Sequence, residues 1–109
     1  MTDFTHLIRE ANLIGGAWVG ADSGETIAVT NPATGARIAL VPASGAVETR
    51  RAIDAAAAAF PDYAALSLND RVTLLRRLHQ AIMDQHAALA AMLTAEQGKP
   101  LVEARAEVA

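Results

Sequence analysis

A chain of 109 residues, 52% of them apolar and with a net charge of −3, can form one small domain or part of a larger one. The absence of cysteine excludes a disulfide, a thiolate metal site and a cysteine nucleophile within these residues. No basic stripe suits nucleic acid, no window approaches the roughly 20 apolar residues that cross a bilayer, and MTDFTHLIRE has no apolar run of signal-peptide length.

These exclusions leave a cytoplasmic protein with no membrane or nucleic-acid partner as the expectation. Aromatics make up 4% of the chain, and much of the apolar count is alanine, which buries little area per residue, so the core should be thin.

In chain order, Phe4, Leu7 and Ile8 have the spacing of one face of a short helix that clamps the N-terminus. Leu13 to Val19 reads as strand–turn–strand, with Gly15-Gly16 supplying the positive φ angles of a tight hairpin. Thr26-Ile27-Ala28-Val29-Thr30 reads as a β-branched strand. Asn31-Pro32-Ala33-Thr34-Gly35 is a turn: Asn31 can bond its own backbone two residues on, Pro32 presets φ, and Gly35 permits the exit. Arg37 to Val41 is a further strand, ended by Pro42. These pieces predict one antiparallel β-meander over about 13–42.

A first helix is expected over about 46–60, with Ser44 as N-cap, Glu48 in the first turns and Pro61 as terminator. Val47, Ile53, Ala56, Ala57 and Phe60 share its apolar face. Ser67-Leu68-Asn69-Asp70 has the spacing of a capping box and opens a helix over about 68–97. Leu68, Val72, Leu75, Ile82, Leu89 and Leu93 form its stripe. Asp84 can cap a new helix where polar residues interrupt that stripe. Gly98 suits the position just past a helix, and Pro100 suits the first turn of the next, over about 100–109. The fold class is therefore α+β, a β-meander followed by helices.

Few side chains suggest chemistry. His79 and His86, seven apart, lack a third ligand. Glu96 and Lys99 flank the helix break and suit a junction, with Lys99 near the last carbonyls of the preceding helix. Glu103 and Glu107 read as a solvated face, as do Arg50-Arg51 and Arg76-Arg77. No GxGxxG or P-loop is present.

In order and spacing, LIGGAWV, AVTNPATGARIALVP, GAVETRRAIDAA and LTAEQGKPLVEARAEV resemble the N-terminal part of the aldehyde dehydrogenase superfamily, from about residue 11 to 108. The details around Val41-Pro42, Glu48 to Ile53 and Glu96 to Leu101 are similar to its succinate-semialdehyde dehydrogenase branch. Gly16, Tyr63 and Ala106 depart from that pattern. The resemblance implies a segment of the α/β, Rossmann-like cofactor-binding domain of a homo-oligomeric enzyme that oxidises an aldehyde with NAD or NADP. In that family a cysteine thiolate attacks the aldehyde, hydride passes to the nicotinamide, a glutamate activates water and an asparagine amide holds the oxyanion. None of these residues, and no cofactor-binding residue, maps onto this chain. No catalytic, cofactor-binding or metal residue is therefore assigned, and the chain alone is expected to be inactive.

For some members the resemblance also implies a monovalent cation on backbone oxygens before the NP turn and an acid before the GKP junction. The matching positions are Val29, Thr30 and Glu96. The alternative expectation is a non-catalytic helical interaction module that associates with a full-length dehydrogenase, motivated by apolar stripes that need a partner. Either way, the isolated chain should expose a large apolar surface.

Overall fold

The computed structural model describes residues 2–109. The chain forms two compact units. One gathers residues 2–8, Ala28–Ala39 and Thr73–Ala109; the other gathers Arg9–Ile27 and Leu40–Val72.

In the second of these units, β1 (Asn12–Ile14) and β2 (Ala17–Val19) pair antiparallel, with Leu13 opposite Trp18. The turn is Gly15-Gly16, at φ 58° and 80°, as a two-residue hairpin with both central residues at positive φ requires. β3 (Thr26–Thr30) and β4 (Arg37–Pro42) form a separate two-stranded sheet. The expected single meander is thus two hairpins. The loop between them is drawn aside: the Asp22 N–H donates to the Glu48 carboxylate, so β2 is not laid along β3.

The Asn31 turn forms as its residues dictate. Asn31 Oδ1 accepts the Ala33 N–H at 2.9 Å, and the Gly35 N–H donates to the Asn31 carbonyl at 2.8 Å. Pro42 is the last residue of β4.

Helix α1 runs Ala46–Ala65, past Pro61, which was expected to end it near residue 60. A proline at that position forfeits the bond to the Ala57 carbonyl, but Ala57 is exposed and water can replace that bond. The flanking alanines favour helix on both sides. Gly45, not Ser44, is the N-cap. The Ser44 hydroxyl instead accepts a hydrogen bond from Asn12 Nδ2 at 2.8 Å.

Helix α2 (Leu68–Asp84) opens on the expected box. The Asp70 N–H donates to Ser67 Oγ at 3.1 Å, and that hydroxyl donates to the Asp70 carboxylate at 2.8 Å. The expected 68–97 helix breaks at Gln85, and α3 follows (His86–Gln97). Asp84 does not cap it: its carboxylate accepts from Gln80 at 2.7 Å. Gln85 pairs instead with His6 at 2.9 Å, tying the N-terminal 3-10 turn Thr5–Leu7 to the break.

Gly98, Lys99 and Pro100 connect α3 to α4 (Leu101–Val108). The Gly98 N–H reaches the Thr94 carbonyl at 2.8 Å, and Gly98 sits at φ 81°. The two helices pack as a hairpin. His86 Nε2, near the start of α3, donates to the Arg105 carbonyl near the end of α4 at 2.9 Å.

Among the described residues the buried apolar side chains are Ala39, Ala88, Ala90, Ala91, Ala95 and Ala104. The core is as thin as composition implies. Large side chains remain in water: Val47, Ile53 and Phe60 on α1, and Leu68, Leu75 and Leu78 on α2, are each more than half exposed. Fully burying such a side chain is worth about 1.5–3 kcal/mol. Over six of them the forgone stabilisation is comparable to the roughly 5–15 kcal/mol net stability of an ordinary domain.

Gly98 is constrained twice, by its positive φ and by a Cβ position only 3.0 Å from Pro32 Cγ; Gly35, at φ 74°, has open space around it. Gly35→Ala should cost about 1 kcal/mol from backbone strain alone. Gly98→Ala should cost about 1 kcal/mol more, because the proline ring must also yield. Urea denaturation followed by helical signal distinguishes the two, and equal losses would show that the Pro32 contact carries no energy.

Candidate functional site

Two clusters of interacting side chains stand out, one in each unit. The first surrounds Glu48, at the third position of α1. Its carboxylate accepts the Asp22 N–H at 2.7 Å and the Gly45 N–H at 3.0 Å, and the side chain is buried. Gly45 has no side chain to complete a reciprocal box, so Glu48 alone caps the helix start and holds the incoming loop. Arg51, one turn on, grips Asp22 through two bonds of 2.7 and 3.1 Å. This corrects the expectation that Arg50 and Arg51 are both merely solvated. A cavity of about 280 Å³ lies beside the cluster, lined by Asn12, Leu13, Ile14, Ser44, Glu48 and Thr49 among others.

The Asp22 amide, then Glu48's own amide and that of Gly45, hold the Glu48 carboxyl below its ordinary value of 4.5, with a smaller pull from Arg51. A general base needs free lone pairs and a pKa raised toward neutrality. Glu48 has backbone donors on both oxygens and moves the other way, so its role is structural. Sequence reasoning saw Glu48 as a favourable charge and missed it as a hub. The available signal was the Gly45-x-x-Glu48 spacing, obscured by the better capping residue Ser44 next door.

The second cluster is the junction after α3. Here the NPATG turn and the EQGKP run meet, through Gly98 against Pro32. Lys99 does not serve the last carbonyls of α3. It forms an ion pair with Glu107 across the break, so Glu107 is not simply solvated. Glu96 is exposed in the last turn of α3, and Val29 is half-buried near the end of β3. Thr30 and Glu96 each lie two residues from the Gly98–Pro32 contact. His79 is exposed, while His86 is spent on the Arg105 carbonyl. Among the described residues no group of three His, Cys, Asp or Glu side chains can hold a metal ion. Nor is any helix long and apolar enough to cross a membrane.

Residues 18–109 match the aldehyde dehydrogenase family. The chain belongs to that family. It is similar to the glutarate-semialdehyde dehydrogenase of Pseudomonas aeruginosa, 50% identical over 103 residues, which is 94% of this chain and 21% of that protein. It is also similar to the succinate-semialdehyde dehydrogenase [NADP(+)] of Escherichia coli, 47% identical over 104 residues, 95% of this chain and 22% of that one. A crystal structure of an NADP-dependent E. coli enzyme superposes with a TM-score of 0.90 at 47% identity, over 95% of this chain and 22% of that chain. The chain thus spans about a fifth of the length of the relatives it matches. Its strands-then-helices fold is consistent with the N-terminal part of the family's cofactor-binding domain. Solved members of the family are complexed with NAD+ or with NADP. These 109 residues offer neither of those cofactors a glycine-rich phosphate loop.

The depressed Glu48 pKa has a consequence for stability. The unfolded chain takes up this proton more readily than the folded one. The stabilisation is therefore complete above 4.5 and drains away as pH falls through the lower folded value. Asp3, held down chiefly by the Thr5 amide, acts in the same direction, so the informative comparison is with Glu48→Gln. That variant should melt several degrees lower at neutral pH, with the gap closing under acid. A gap that persists unchanged in acid would contradict the assignment.

Proposed function

We propose that these residues are the N-terminal portion of an NAD(P)-dependent enzyme that oxidises a short semialdehyde, succinate semialdehyde first among them, to the dicarboxylic acid. The observation that carries this reading is the match of 94–95% of the chain, about half of it identical, to two enzymes named for semialdehydes with a distal carboxylate. In this reading the segment is scaffold. The alanine-packed helices and the two hairpins supply a frame at the edge of the cofactor-binding domain, and the chain alone does no chemistry. The absence of any cysteine supports that, because the family's reaction runs through a thiolate. The locked carboxylate of Glu48 supports it as well. A cytoplasmic location and a homo-oligomeric full enzyme belong to the same reading.

The proposal has a two-part test. The 109-residue chain, mixed with succinate semialdehyde and NAD+ or NADP+, should form no reduced cofactor; turnover would contradict its inactivity. A chimera in which this chain replaces the matched fifth of the E. coli relative should oxidise succinate semialdehyde at a rate of the same order as the parent. A soluble, folded but inactive chimera would count against the scaffold role.

A further inference from the structure

We draw no further inference here: the strongest candidate, the cavity of about 280 Å³ lined by β1, Ser44 and the first turns of α1, belongs to the Glu48 cluster already described, whose carboxylate is spent on backbone donors, and nothing in the structure shows what fills it.

Discussion

Helices α3 and α4 pack together, and Ala88, Ala90, Ala91 and Ala95 on one and Ala104 on the other are buried, none more than 7% exposed. Side chains this small let backbones approach closely, but each removes little apolar area from water. The hairpin consequently leans on directional contacts at both ends. At one end are the left-handed Gly98 turn and the Lys99–Glu107 pair; at the other is the His86 bond to the Arg105 carbonyl. The close approach of Gly98 to Pro32 follows from the same economy, since the turn and the junction touch with nothing between them. It also gives a physical reason for the Asn31–Gly35 turn and the Gly98–Pro100 junction to occur together.

The other unit uses the same economy with different parts. Glu48 caps α1 and anchors the Asp22 loop. Glu10 accepts the Leu40 N–H at 2.7 Å, and Asn12 reaches Ser44. Side chains bonded to groups distant in sequence hold segments that no large buried side chain holds. Such bonds are worth roughly 0.5–1.5 kcal/mol each. They fix geometry more than they supply stability, which suits a segment whose larger apolar faces look outward.

Local chemistry was legible in the sequence wherever one residue type decides a conformation. Gly15-Gly16, Asn31, the Ser67–Asp70 box and the helix break at Gly98 all formed as read. The misreadings arose where two rules competed. Pro61 lost to its helix-favouring neighbours because the carbonyl it frees lies at an exposed residue. Ser44 lost the cap to Gly45 because Asn12, distant in sequence, claimed its hydroxyl. Asp84 lost a cap because its carboxylate accepts from Gln80. The division into two hairpins depended on a contact 26 residues apart in sequence, Asp22 to Glu48, which no local pattern encodes.

In the scaffold reading proposed above, the rest of a dehydrogenase subunit covers the exposed apolar faces of α1 and α2. Amide hydrogen exchange measured on the isolated chain and on the same residues within the chimeric dehydrogenase tests this most directly. Amides of α1 and α2 should exchange at least about tenfold more slowly in the chimera, while those of the α3–α4 hairpin change least, because cover is gained where apolar side chains are now exposed. Equal protection of α1 and α2 in the two settings would mean that the rest of the enzyme does not cover them, and would contradict the account.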